Sequence, residues 1–284
     1  MDRIFAFGCS FTSYAWPTWA DILIKDFKDN GKEGYNFGQS GSGNLFIFIK
    51  LMEAIKKHEI NENDLVMICW TSLQREDRFI DGRWVTPGNI YSQNIYNDAF
   101  INKWCDIEHF VHRDCALMLA AKLALSKIGC RYVNFSMSKL KQMDSAKVES
   151  LFKETNDVID FYGESIETDL TPMMEYLGLA DRTPIAFERR KIKTYWGNIN
   201  EVTTEWHPTP YEHLKYLKNN ILPYINLSLN ETTYEYVKSW TSIINSVQHP
   251  INLHEIEKIK IENNKTNLFP NDLLNKKEEI NKLI

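Results

Sequence analysis

Apolar and polar positions in the first seventy residues switch between two periods. Arg3-Ile4-Phe5-Ala6-Phe7 is short, β-branched and aromatic, which predicts a buried strand, and Gly8 breaks it. Trp16, Trp19, Ala20, Leu23, Ile24 and Phe27 then fall at helical spacing, predicting an amphipathic helix over residues 16–28 that covers the first strand. Asp29-Asn30-Gly31 ends it. Gly34-Tyr35-Asn36-Phe37 predicts a second strand, residues 38–44 a glycine-rich turn and residues 45–57 a second helix. Asp64-Leu65-Val66-Met67-Ile68-Cys69-Trp70 is the clearest buried strand in the chain. Strand, helix, strand, helix, strand implies a parallel sheet joined by right-handed crossovers.

Residues 71–113 depart from this rhythm. They carry Arg75, Arg78, Arg83, Trp84, Tyr91, Tyr96 and Trp104, with turn signals at Asp81-Gly82 and Pro87-Gly88-Asn89. The segment reads as an insertion over the sheet edge that acts as a flap. An apolar helix over 114–128 and a fourth strand over 131–136 follow. Residues 137–200 are mixed, with a helical piece at 144–154, and Glu201 to Glu205 leads into His207-Pro208-Thr209-Pro210 and a helix to about residue 219. After Pro223 the chain turns polar. Ile243, Ile244, Val247, Ile256 and Ile259 suggest appended helices suited to homo-oligomerisation. The expected division is a domain over 1–222 and a helical extension over 223–284.

Composition narrows the class. A chain of 284 residues with 43% hydrophobic and 25% charged residues suits one large α/β domain with insertions. A formal charge of -5 gives no global attraction to nucleic acid. No stretch approaches the ~20 apolar residues of a membrane span. The amino terminus lacks a secretory pattern and the five cysteines look like reduced core thiols, so a cytoplasmic protein is expected.

Four loops can carry chemistry, because the carboxyl ends of parallel strands share one edge. The first presents Ser10, a nucleophile once a base takes its proton, placed near the positive end of the following helix. The second is the turn around Gly41, whose backbone N–H groups suit an oxyanion. The third is Thr71-Ser72, whose hydroxyls can donate to the same charge. In the fourth, Thr209-Pro210-Tyr211-Glu212 is a capping box with proline at the first helical position. It holds His207 on a rigid entry as a candidate base, with Glu205 positioned to orient the imidazole. His213, in the first turn, reads as structural.

These residues resemble the GDSL/SGNH hydrolases. Gly8-Cys9-Ser10-Phe11-Thr12 is similar to the family's opening Gly-Asp-Ser-Leu block, residues 36–44 to its second block, and Glu205-Trp206-His207-Pro208 to its closing Asp-x-His-Pro block. The resemblance covers about residues 1–75 and 201–220. It implies a three-layer α/β/α sandwich with a central parallel sheet, Ser10 as nucleophile and Gly41 as an oxyanion N–H donor. It also implies ester hydrolysis through an acyl-enzyme, with no metal and no cofactor. Three positions depart from the pattern. Cys9 replaces the family's Asp, Ser72 stands where an Asn is usual, and the acid is Glu205 rather than Asp. Asn44 offers another amide, and Arg75 with its neighbours could meet an anionic group. The expected substrate is a small-molecule or glycan ester carrying a small acyl group. The alternatives are an acyltransferase on the same site and a non-catalytic module with a degenerate one. Cys105, His109, His112 and Cys115 have metal-ligand residue types, but one helix rarely converges four ligands, and packing is the expected role.

Overall fold

The apolar runs at residues 3–7 and 64–70 pair with each other. Strand β1 (Arg3–Gly8) lies parallel to β3 (Asp64–Trp70), with Phe5 opposite Val66 and Gly8 opposite Cys69. Strand β2 (Glu33–Asn36) flanks β1 and β6 (Arg131–Ser136) flanks β3, giving an all-parallel sheet of order β2-β1-β3-β6. The computed structural model describes residues 1–90, 96–140, 158–163, 166–179, 185–188, 193–194, 197–198, 202–246, 251–252 and 256–261. For 185–188, 193–194, 197–198, 202–205, 245–246 and 251–252 it describes the backbone alone. The helical piece expected at 144–154, Tyr91 and Val247 lie outside the described residues. The chain divides into two compact units, Met1–Ser13 with Phe27–Leu177, and Tyr14–Asp26 with Gly178–Ile284.

In the first unit every residue of β3 is buried, which is why that run shows no alternation of apolar and polar positions. Phe5, Phe7, Val66, Ile68 and Trp70 form one face. They share a core with Ile47 and Leu51 of α2 (Asn44–His58) and with Val111, Cys115, Met118 and Leu125 of α4 (Ile107–Ile128). Helix α4 begins seven positions before the expected residue 114, because the Asp106 side chain accepts from Glu108 N and caps it. At the amino edge of the sheet Arg3 grips Asp64 with two hydrogen bonds, at 2.8 and 2.7 Å. The insertion contains the hairpin β4 (Arg78–Ile80) and β5 (Arg83–Val85), followed by helix α3 (Asp98–Trp104). Its turn, Asp81-Gly82, has positive φ at both residues, as a two-residue hairpin turn requires.

The second unit takes in most of α1 (Trp19–Asp29), which starts three residues later than the spacing predicts, after Pro17-Thr18. It has its own small sheet, with β7 (Ile185–Glu188) between antiparallel β10 (Val202–Glu205) and parallel β11 (Ile251–Asn252). A two-residue-stranded hairpin, β8 (Lys193–Thr194) and β9 (Gly197–Asn198), lies between β7 and β10 in the chain. Its helices are α6 (Pro210–Tyr216), extended through a π turn (Leu217–Ile221) into α7 (Leu222–Ile225), and then α8 (Glu231–Ser246). Helix α5 (Met173–Leu177) belongs to the first unit. Asp26 accepts from Asn230 N at 2.7 Å and from Thr233 Oγ1 at 3.0 Å, tying α1 to the start of α8. Among the described residues no helix is long and apolar enough to cross a membrane.

Candidate active site

The strand order reverses between β1 and β3, so the crevice beyond their carboxyl ends is where an open α/β sheet binds ligands. Ser10 follows β1 in a tight turn, in which Thr12 N and Ser13 N both donate to Cys9 O, and it is 7% exposed. It is not at a helix start. Helix α1 begins nine positions later, at Trp19, so the expected macrodipole beside Ser10 has no helix adjoining it in the chain.

The turn is locked to the glycine-rich loop through Thr12. A Cβ at Gly8 would lie 2.0 Å from Thr12 Oγ1 and one at Gly38 2.9 Å from Thr12 Cβ, so both glycines make room for that side chain. Asn36 Nδ2 donates to Thr12 O at 2.8 Å, and Gln39 N and Ser42 Oγ both donate to Gly8 O. Gly41 has φ +76°, and a Cβ there would meet Thr86 O at 2.2 Å. The backbone at Thr86 therefore packs closely on this turn. Thr86 Oγ1 donates to Ser40 O and accepts from Gln39 Nε2.

Arg75 draws the remaining loops together. Its Nε donates to Ser72 Oγ at 3.3 Å, its Nη1 to Ser42 O at 3.1 Å, and its Nη2 lies 3.9 Å from Met137 Sδ. Met137 follows β6 and also meets Cys9 Sγ at 3.7 Å and Thr71 Oγ1 at 3.9 Å. The segments after β1, β2, β3 and β6 thus converge on one guanidinium and one thioether. Ser72 is buried, and because its oxygen accepts from a cation its own proton is left to donate.

Asn44, the other amide read from the sequence, is buried and turned toward the protein. Its Nδ2 spends both hydrogens on Thr71 O and Asp114 Oδ2, and its Oδ1 accepts from Thr71 N. It clamps the Thr71 peptide and so sets the start of the Ser72 loop. Asp114 is fully buried, and desolvation pushes its carboxyl up to about 6 against the pull of Arg113 and Asn44. Arg113 donates to Asp114 Oδ1 at 2.7 Å, to Glu76 Oε2 at 3.1 Å and to Arg75 O at 2.8 Å. Asp77 accepts from Gly43 N and Phe46 N at the start of α2, and burial raises its carboxyl from the usual range. Sequence reasoning missed Asp77, Arg113, Asp114 and Met137. A charged pair inside the apolar run of α4 was the one signal that could have pointed to them.

In the second unit His207 stacks on Tyr14, with centroids 3.9 Å apart and planes at 15°. Trp16 Nε1 donates to Pro208 O at 2.7 Å, and Tyr14 packs edge-on against Trp16. The capping box forms as read from the sequence. Glu212 N donates to Thr209 Oγ1 and Thr209 N to Glu212 Oε2, with Pro210 opening α6. His213 is buried at 1% exposure on α6. Glu205 ends β10, and its side chain lies outside the described residues.

Among the described residues no group of three or more His, Cys, Asp or Glu is arranged to hold a metal. His109 and His112 are exposed on α4 while Cys115 is in the core, its thiol pushed up to about 12 by burial. Aromatics of residues 71–113 pack in two places: Trp84 edge-on against Phe79 and against Phe46 of α2, and Tyr96 stacked on Phe100 beneath Arg78.

No protein-family model and no curated protein matches the chain. Among solved structures it is similar to a GDSL-like lipase from Bacteroides thetaiotaomicron, at 13% identity and TM-score 0.41, over 79% of this chain and 88% of that one. It is similar to a lipolytic protein of the G-D-S-L family from Veillonella parvula, at 14% identity and TM-score 0.40, over 76% and 97%. A mutant acetyl-xylooligosaccharide esterase from a Geobacillus gives 10% identity and TM-score 0.42, over 80% and 95%. At these values the likeness carries no argument about activity.

Proposed function

We propose that this chain is a serine-dependent carboxylic ester hydrolase of the SGNH type, cleaving a small acyl group from a polar or glycan-linked substrate. The observation that carries the reading is the junction at Arg75 and Met137, which joins the Ser10 turn, the Gly41 loop and the Ser72 loop at the carboxyl edge of the sheet. Nucleophile, backbone donors and hydroxyl donor are then held by one bonded network rather than by separate mobile loops.

In the proposed reaction His207 takes the hydroxyl proton of Ser10 as Oγ attacks the acyl carbonyl. The negative charge on the carbonyl oxygen is met by the N–H groups of Ser10 and Gly41 and by the Ser72 hydroxyl, whose oxygen is already engaged by Arg75. Collapse breaks the ester C–O bond, and the imidazolium gives its proton to the departing alcohol. Water then attacks the acyl-serine, His207 takes a proton from it, and the acid leaves as Ser10 regains its own. Glu205 orients the imidazole in this scheme.

Ser10→Ala should abolish turnover of a short-chain nitrophenyl ester and labelling by a fluorophosphonate. His207→Ala should lose a similar factor, ~10⁴ or more. Full activity in Ser10→Ala would sink the proposal.

A further inference from the structure

Residues 256–261 are helical and reach the rest of their unit through a buried cation. Lys260 is 8% exposed, and its ammonium donates to Tyr14 O at 2.8 Å, Trp16 O at 3.2 Å and Asp21 Oδ2 at 2.8 Å. An ammonium has three N–H donors, so these three acceptors use its whole capacity. A lysine buried to this degree is held by that pairing, since an unpaired cation there would be strongly unfavourable.

All three acceptors belong to one short stretch, residues 14–21, between the Ser10 turn and the first turn of α1. The side chains of the two residues whose carbonyls are held both touch the His207-Pro208 corner. Tyr14 is the ring on which His207 stacks, and the Trp16 indole holds Pro208 O. The third acceptor, Asp21 Oδ2, also takes hydrogen bonds from Thr18 N at 2.9 Å and Thr18 Oγ1 at 3.1 Å, fixing the entry to α1. Residues 14–18 lie outside helices and strands, and Lys260 adds hydrogen bonds to two of their carbonyls.

We propose that Lys260 is a positioning residue for the catalytic base, and that residues 256–261 thereby complete the setting of His207. The ammonium fixes the backbone at Tyr14 and Trp16, and these two rings fix the plane and height of the His207 imidazole. The proposal rests on the reading of His207 as base. A displacement of about 1 Å at a reacting group costs on the order of 10²-fold in rate, so a clamp two steps from the imidazole has catalytic leverage.

The test uses the full chain with Lys260→Met, which keeps the aliphatic stem and removes all three hydrogen bonds. Two readouts are taken on protein shown to be folded by near-ultraviolet circular dichroism. The kcat for a short-chain nitrophenyl ester should fall by about 10–100-fold with KM nearly unchanged. The His207 ring proton resonances, shifted by the Tyr14 ring current in the native protein, should move toward their positions in Tyr14→Leu. Should Lys260→Met not fold, Asp21→Asn weakens the same clamp and is expected to move both readouts in the same direction by less. A folded variant in which either the kcat or the resonances stay at wild-type values overturns the proposal. The resonances do not depend on turnover. Failure of the esterase reading would be seen separately, as undiminished activity in Ser10→Ala.

Discussion

Replacing Asp114 by Asn should remove a pH dependence from the stability of this protein. In the folded chain complete burial pushes the carboxyl up to about 6, whereas an unfolded aspartate lies at about 3.9. Between those values the folded state keeps a proton that the unfolded state has lost. Stability contributed by this group is therefore full below about pH 4 and falls as pH rises through about 6. A difference of about 2 units at 1.36 kcal/mol each makes the loss about 3 kcal/mol by pH 7. The assay is urea unfolding followed by tryptophan fluorescence, for wild type and Asp114→Asn, from pH 4 to 7.5. Other titrating groups cancel in the difference between the two curves. Arg113 retains Glu76 as a partner at 3.1 Å, so it is not left without a counter-charge in the variant. The wild type should lose about 3 kcal/mol relative to the variant across this range. Parallel curves, or a wild type that gains on the variant as pH rises, would refute the reasoning, because the carboxylate would then be as well solvated as in the unfolded chain.

Three further outcomes are expected. Gly41→Ala places a Cβ at φ +76° and 2.2 Å from Thr86 O, so the turn must move, and kcat/KM for the nitrophenyl ester should drop by roughly 10²-fold or more, with a fall in Tm from about 1–2 kcal/mol of backbone strain. Ser72→Ala and Arg75→Met should each cost on the order of 10²-fold in kcat, and the double variant should match the worse single one, since the guanidinium acts through the hydroxyl; additive losses would separate them. Arg3→Met leaves the 1%-exposed Asp64 carboxylate without its two guanidinium bonds and should cost about 2–3 kcal/mol in urea unfolding, discounted for the partial exposure of Arg3, with ester turnover unchanged below Tm.

What could be read from the residues was what depends on near neighbours. The runs at 3–7 and 64–70 are continuous in apolar character because both faces of those strands are buried, and they pair as adjacent parallel strands. The Thr209–Glu212 capping box is a four-residue pattern and forms as written. Asn44 shows the opposite case. As a residue type it suits an oxyanion, but its partners lie 27 and 70 positions away, and nothing local tells that they exhaust it. The cap on α2 comes from Asp77, more than thirty residues downstream, for the same reason. The start of α4 was hidden because Glu108, His109, His112 and Arg113 stand among Ile107, Phe110 and Val111, so its first turns read as a mixed segment although those three are buried. Lys260 resembled any lysine of a polar tail.

The way the chain is shared between its two units also bears on how it is made. Residues 14–26 belong with a unit whose remaining part starts at residue 178. On a ribosome adding roughly 5–20 residues per second, that stretch waits about 10–30 s for its partners. It carries Trp16, Trp19, Ile22 and Leu23, all buried in the finished fold, so for that interval an apolar segment stays exposed just after the first strand. Nascent chains halted before residue 178 should therefore engage holdase chaperones through this stretch, and the release of that grip should coincide with the emergence of the carboxyl-terminal helices.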